Sequence, residues 1–355
     1  MDKLQSLREQ MGKAGMDGLF VSSTQNRRYL TNFTGTYGFV LLTADKAILL
    51  TDFRYMTQAT EQTQGYEVLK LVTKESLFAE VARLAEQAGV KRLGFEEDHL
   101  TSAQHRKLQA EWKQELIPVS GMVEGLRMIK TTDEIAKIRT AAQIADAAFT
   151  HILQWLKPGV SEREVANELE MYMRKQGASS SAFDTIVASG VRSSLPHGVA
   201  TDKKIETGEM ITLDFGALYQ GYRSDITRTV AIGEPSPKLK EVYGIVLSAL
   251  ERAIAGIKPG IIGSEADAIA RDYIASHGYG ECFGHGLGHA VGLDIHEEPF
   301  LSKICDKVLK ADMVLTVEPG IYLPGQGGVR IEDDILVTSE GNELLTHSKR
   351  ELIIL

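Results

Sequence analysis

Along residues 1 to about 120 the apolar positions alternate between a helical and an extended period. Leu4, Leu7 and Met11 share one face of a helix, and Gly18 to Val21 is a short apolar strand. Phe39 to Thr43 and Ala47 to Thr51 flank a short polar turn and predict a hairpin, with Tyr66 to Val72 a further strand. Helical patterns around Ser76 to Gln87 and Ser102 to Trp112 complete a small α/β domain with a mixed sheet. The polar runs Asn26-Arg27-Arg28-Tyr29 and Asp52-Phe53-Arg54-Tyr55 read as solvated turns, a substrate-facing role being the alternative. A strand-like end near Ile117 then meets a helix-rich half, which sets two domains at residues 1–122 and 123–355.

The second half repeats one pattern. Thr131 with Glu134 forms a capping box, and Ile135, Ile138, Ala142, Ala145, Phe149, Ile152 and Leu156 recur at three-and-four spacing, predicting a long helix that Lys157-Pro158-Gly159 stops. Ser161 with Glu164 opens a second helix ending near Gly177. The same grammar returns with a helix from about Leu239 to Ala255, then Lys258-Pro259-Gly260, then a helix from about Ser264 to His277 closed by Gly278. Two copies of one supersecondary unit predict a pseudo-symmetric domain.

Length supports two domains, since 355 residues exceed what one hydrophobic core organises. A net charge of -9 argues against a nucleic-acid partner, whose affinity would come from a basic surface. The opening M-D-K-L-Q-S-L-R-E-Q-M mixes charge signs and lacks the apolar core of a signal peptide, and no later run is long and apolar enough to span a bilayer. The expectation is a cytoplasmic protein without a membrane partner. Cys282 and Cys305 form no C-x-x-C pair and are too few for a disulfide framework.

The candidate chemistry is concentrated in the repeat. Residues Phe283 to Pro299 carry His285, His289 and His296, three of the nine histidines, among glycines that argue against the helical zinc motif. After the first helix pair come Leu195-Pro196-His197-Gly198, then the run Met210 to Leu213 delivering Asp214, then Asp225; after the second come the histidines, then Met313 to Val317 delivering Glu318, then Glu332. A carboxylate ending an apolar strand is buried, where charge is costly unless a cation pairs with it. If the two halves face each other, Asp214, Asp225, Glu318 and Glu332 converge with His289. Four crowded carboxylates repel and take up protons unless cations neutralise them, and two divalent metals balance four charges. Four oxygen donors, one imidazole and no thiolate favour Mn2+, Co2+, Fe2+ or Zn2+, and such a pair of metals suits hydrolysis of an amide or ester.

These residues also carry a resemblance. L-D214-F-G, S-D225-I-T-R-T, G-H285-G-L-G-H289-A-V-G-L-D-I-H296-E, T-V-E318-P-G-I-Y322 and G-V-R330-I-E332-D resemble the creatinase, methionine aminopeptidase and prolidase superfamily over residues 125 to 355. The fold this implies is α/β (more strictly α+β): a small N-terminal creatinase-type α/β domain followed by a C-terminal pseudo-twofold pita-bread catalytic domain. The extra N-terminal domain and L-P-H197-G resemble the Xaa-Pro branch. By that resemblance Asp214 holds one metal, His289 and Glu318 the other, and Asp225 and Glu332 bridge both, with Mn2+ as the first expectation and Co2+ or Zn2+ as alternatives. Glu318 relays the proton and His296 stabilises the developing oxyanion. His197, counted with them among the catalytic candidates, and His285 line the proline-side pocket or bind the product carboxylate; Arg330 positions ligands and Tyr322 supports it.

The activity implied is release of the N-terminal residue from peptides with proline second, the alternatives being a strict Xaa-Pro dipeptidase and, outside enzymes, a peptide-binding pita-bread module. A proline-containing peptide is then the substrate, and a homodimer the expected assembly.

Overall fold

The computed structural model describes residues 3–73 and 76–355. It divides into two compact units, Met1–Arg127 and Met128–Leu355. The division falls after the short helix Met122–Arg127 rather than at residue 122, because that helix is bonded into the first unit: Asn26 Nδ2 donates to Glu124 at 2.5 Å, and Arg127 Nη1 donates to Asn26 Oδ1 at 2.8 Å.

The first unit is built on six strands: β1 (Gly18–Val21), β2 (Phe39–Thr43), β3 (Ala47–Thr51), β4 (Glu67–Lys70), β5 (Arg92–Glu96) and β6 (Glu115–Val119). Their order is β4-β3-β2-β1-β5-β6, a mixed sheet in which β1 runs antiparallel to β2 and parallel to β5. The hairpin falls where the sequence places it, with Leu42 opposite Ala47. Its helices are α1 (Lys3–Lys13), α2 (Thr24–Thr31), α3 (Met56–Gln62), α4 (Leu77–Gln87), α5 (Ser102–Glu111) and α6 (Met122–Arg127). Phe20, Leu41, Leu50, Val81 and Trp112 form the core.

One expectation fails in this unit. Asn26-Arg27-Arg28-Tyr29 is no solvated turn but the middle of α2, with Asn26 and Arg27 buried. Ser23 caps it by accepting from Asn26 N, and Arg27 donates from its two terminal nitrogens to the carbonyls of Gly38, at 2.7 Å, and Gly35. Asp52-Phe53-Arg54-Tyr55 does lie at the surface, where Arg54 pairs with Asp52 at 2.6 Å.

The second unit repeats a helix pair laid on an antiparallel sheet. The first copy has α7 (Thr132–Trp155) and α8 (Glu162–Lys175), both opened by the predicted capping boxes. Thr131 N donates to Glu134 at 2.7 Å and Ser161 N to Glu164 at 2.7 Å, so each helix start satisfies its exposed donors reciprocally. Strands β7 (Ser180–Ser181), β8 (Ile186–Ser189), β9 (Met210–Phe215), β10 (Ala217–Tyr219), β11 (Tyr222–Arg223) and β12 (Ile226–Ala231) follow, with β12-β9-β8 forming one sheet. The second copy has α9 (Pro237–Gly256) and α10 (Gly263–Ser276), then β13 (Gly288–Ala290), β14 (Glu297–Leu301), β15 (Val314–Val317), the hairpin β16 (Gly320–Leu323) and β17 (Gly327–Arg330), β18 (Asp333–Val337) and β19 (Asn342–Leu344). Its sheet order is β14-β13-β15-β18-β19.

Each copy has its own core. Ala145, Phe149, Ile152, Val165 and Leu169 pack with Leu213 and Val230 in the first, whereas Val246, Ala249, Leu250, Ala266 and Ala270 pack with Leu315 and Ile335 in the second. At roughly 1.5–3 kcal/mol for each large apolar side chain buried, these two cores hold the sheets rigidly enough to fix what stands at the strand ends.

Candidate metal centre

The repeat decides where the carboxylates stand. In the first copy Asp214 is the penultimate residue of β9, paired across to Thr227, and Asp225 immediately precedes β12. In the second, Glu318 immediately follows β15 and Glu332 immediately precedes β18. Two antiparallel strand pairs therefore end in two acids each, and the acids meet. Ligand oxygens of Asp214, Asp225 and Glu332, all buried, lie within 4.8 Å of one another. His289, on β13, brings Nε2 to 3.5 Å from Glu318 Oε1 and 3.9 Å from Asp225 Oδ2.

One guanidinium, Arg330 against Asp214, is too little to neutralise four carboxylates. Asp214 Oδ1, Asp225 Oδ1 and Glu332 Oε1 are buried with no hydrogen-bond partner among the described residues. Burial first, and then the charge of Glu332, Asp214 and Asp334, raises the Asp225 carboxyl far above the ordinary range. Glu332 is raised in the same way by burial and by Glu318 and Asp214, and Glu318 is pushed up to about 8, chiefly by burial. Buried oxygens without donors, on acids that repel one another, are the chemistry of a site completed by cations.

His289 fits the same purpose. Its Nδ1 lies 3.1 Å from the carbonyl of Ala290, which can only accept, so the proton sits on Nδ1 and the Nε2 lone pair faces the acids. Burial and then His296 lower its pKa to about 4, so the ring is neutral at pH 7, the form that ligates a metal.

Around these five residues runs a cleft of about 850 Å3, lined on its outer parts by Phe183, Asp184, Val199, Phe300 and Ile304. His197, His285 and His296 also line it. The His296 ring stands 4.5 Å from that of His289, and burial, followed by His197, lowers its pKa. His285 donates from Nδ1 to the Gly286 carbonyl at 2.8 Å, so its Nε2 accepts from the Tyr322 hydroxyl at 2.8 Å. That hydroxyl in turn accepts from Arg330 Nη1 at 2.8 Å, and Arg330 Nη2 reaches Asp214 Oδ2 at 2.5 Å. Asp214 thus has one oxygen held by Arg330 and the other left open. Nine of the ten residues singled out in the sequence line this cleft, and the tenth, Tyr322, is hydrogen-bonded to two of them, His285 and Arg330.

Several contributors carried no signal in the sequence. Thr227 donates to Glu332 Oε2 at 2.6 Å, Thr316 donates to Glu318 Oε1 at 3.3 Å, and Asp334 Oδ2 accepts from the Asp225 amide at 2.9 Å. Thr316 stands two residues before Glu318 at the end of the same strand, whereas Thr227 on β12 meets Glu332 across two different sheets, a neighbourhood the sequence does not state.

Residues 136–339 match Metallopeptidase family M24, and residues 3–129 match the Creatinase/Prolidase N-terminal domain. The chain is 42% identical to the Xaa-Pro dipeptidase of Pyrococcus horikoshii over 99% of both chains. Among solved structures it is similar to an Xaa-Pro dipeptidase from Bacillus anthracis, with 57% identity, a TM-score of 0.98 and coverage of 100% of this chain and 99% of that one. It is also similar to an X-Pro aminopeptidase from Thermotoga maritima, with 39% identity, a TM-score of 0.90 and coverage of 98% and 100%. No helix among the described residues is long and apolar enough to cross a membrane.

Proposed function

The chain belongs to metallopeptidase family M24, with a creatinase/prolidase-type N-terminal domain, and from that premise we propose that it hydrolyses the Xaa-Pro peptide bond at a centre of two divalent cations. The observation that carries the reading is the set of buried, unpartnered carboxylate oxygens of Asp214, Asp225 and Glu332 opening into a cleft beside His289 and Glu318. Asp214 would hold one cation, His289 and Glu318 the other, with Asp225 and Glu332 shared. Four carboxylates and one imidazole without thiolate favour Mn2+, with Co2+ and Zn2+ as alternatives. When bound, the cations supply an acidified water and polarise the scissile carbonyl.

The chain's own groups do the rest. Glu318, whose carboxyl holds its proton up to about pH 8 before metal enters, is the group to take a proton from the attacking water and return it to the leaving prolyl nitrogen. His296, neutral and facing the cleft, donates an N–H to the carbonyl oxygen as negative charge develops there. His197 and His285 flank the prolyl side, the second held in place by Tyr322, and Arg330 fixes the rotamer of Asp214. Proline lacks the backbone N–H and has a fixed φ, so a site that reads ring shape rather than an extended, hydrogen-bonding residue selects it.

Release of the N-terminal residue from peptides with proline second is the first reading, because a cleft of about 850 Å3 has room beyond a dipeptide. A strict dipeptidase is the second, favoured by the names of the Bacillus anthracis and Pyrococcus horikoshii relatives. A homodimer, on the strength of the resemblance, and a cytoplasmic location, on the sequence pattern, complete the proposal. The test is cleavage of Ala-Pro and Ala-Pro-Ala by metal-stripped protein with and without Mn2+, read by mass spectrometry. Cleavage of both, only with Mn2+, is expected. Cleavage of Ala-Pro alone makes the protein a dipeptidase, and cleavage of neither leaves the peptide-binding module.

A further inference from the structure

Arg228 plays no part in the chemistry above, yet it is 1% exposed, and a buried guanidinium must spend its donors well. It follows Thr227 on β12 and so faces the side of the strand opposite the metal ligands. A guanidinium carries five N–H groups, and all five are used. Nε donates to the Lys349 carbonyl at 3.0 Å; Nη1 donates to the Thr227 carbonyl at 2.9 Å and to the Glu332 carbonyl; Nη2 donates to Asp333 Oδ1 at 2.7 Å and to the Ser348 carbonyl at 2.7 Å. One side chain therefore grips the backbone of Glu332, the carboxylate beside it and the C-terminal segment.

That segment reaches the other shared ligand as well. Thr346 donates its hydroxyl proton to Asp333 Oδ1 at 2.8 Å and accepts from Asp334 N at 3.1 Å, while Leu345 N donates to the Asp334 carbonyl at 2.9 Å. Asp334 is the residue whose Oδ2 receives the Asp225 amide. Asp333 also takes Arg350 Nε at 2.6 Å. The segment is itself anchored to α7, where Asp146 accepts from the amides of His347 and Ser348 at 2.8 Å each and from the Ser348 hydroxyl at 2.5 Å.

A buried ion pair such as Arg228–Asp333 is a poor way to gain stability, because apolar side chains of the same volume do as well or better. What it supplies is a fixed geometry. We infer that residues 345–350, acting through Arg228, Asp333 and Asp334, are positioning residues that hold Glu332 and Asp225 at the separation two cations require. The segment then sets metal affinity rather than the existence of the fold. The inference rests on the dinuclear reading above.

The experiment titrates metal-stripped full-length protein with Mn2+ in competition with a chelator, alongside thermal melting of the metal-free form. Wild type is expected to take up two Mn2+. Arg228→Lys keeps the charge but loses the fork of five donors, and a loss of roughly 10- to 100-fold in Mn2+ affinity is expected, the range for a partner one bond removed from a ligand. Asp146→Ala, remote from the acids, is expected to weaken Mn2+ in the same direction by less, and it carries the test alone if Arg228→Lys does not fold. Wild-type affinity within about twofold in the folded variants, with only a lowered melting temperature, makes the segment merely structural and overturns the inference. Wild type that binds none of Mn2+, Co2+ and Zn2+ overturns the metal centre itself, so the two failures are distinguishable.

Discussion

Glu96 in the first unit and Glu332 in the second are both almost excluded from solvent, at 5% and 2% exposed, and the chain treats them in opposite ways. Glu96 ends β5 facing the start of α2. Its Oε2 receives Ser22 N at 2.6 Å, Ser23 N at 2.7 Å and the Ser22 hydroxyl at 3.1 Å, and its Oε1 receives Asn26 Nδ2 at 2.7 Å. Glu332 has the Thr227 hydroxyl on one oxygen and nothing on the other among the described residues, and Asp225 and Asp214 likewise each have one bare oxygen. The contrast is not between units as such. Glu162, fully buried in the second unit, takes Ser189 N at 2.8 Å, the Thr201 hydroxyl at 2.6 Å and Arg192 Nε at 3.0 Å. Taking a carboxylate out of water costs several kcal/mol, and each hydrogen bond to the charged form returns roughly 1.5–3. Where the fold supplies the donors, the acid is structural; where it withholds them from several acids together, something divalent is meant to arrive.

Removing one acid from each class breaks the comparison most sharply. Glu332→Gln or Asp225→Asn should cut turnover on Ala-Pro by on the order of a thousandfold or more and abolish uptake of the second Mn2+. The metal-free variants should melt no lower than wild type, since one of the repelling charges is gone. Wild-type turnover in either variant ends the two-metal assignment. Glu96→Ala should do the reverse: it strands the Ser22 and Ser23 amides and Asn26, costing about 2–3 kcal/mol in chemical denaturation while the protein still binds two Mn2+. A Glu96→Ala protein of wild-type stability would mean that its donors are satisfied by water and that the two classes of buried acid are not distinct.

How much of this could be read from the chain follows the same division. The four clustered acids were legible because Asp214 and Glu318 each close an apolar run, with Asp225 and Glu332 following them, at places that recur in the second copy, and the helices because Thr131, Glu134, Ser161 and Glu164 write their own starts. Those signals are local or periodic. Helix α2 was not legible, since its buried face presents Asn26 and Arg27, and polar residues become core only through partners such as Glu96 that tertiary structure brings in. Thr227, Asp334 and Arg228 escaped for the same reason: their contacts link β12 to the start of β18, strands of two different sheets that only the tertiary fold makes adjacent.

A smaller effect sharpens the contrast without altering a residue. In metal-stripped protein the folded-state pKa of Glu318 is raised to about 8, and those of Asp225 and Glu332 are raised too, so the folded form keeps protons that the unfolded chain has already released. Such groups stabilise fully below their unfolded values and lose that contribution as pH climbs through the folded ones. His285 and His289, lowered to about 4 mainly by burial, act in the opposite sense, but only until the unfolded histidine value of 6.5 is passed. Between pH 6.5 and 8 the acids therefore stand alone among these groups. Metal-stripped protein should lose roughly 1–2 kcal/mol of stability across that interval for a group like Glu318. With Mn2+ saturating, the metal replaces the protons and the loss should vanish or reverse. Melting curves at both ends of the interval, with and without Mn2+, measure it. A flat profile in the stripped protein would show that these acids carry no shared protons, and the bare oxygens of the second unit would then be as self-sufficient as Glu96.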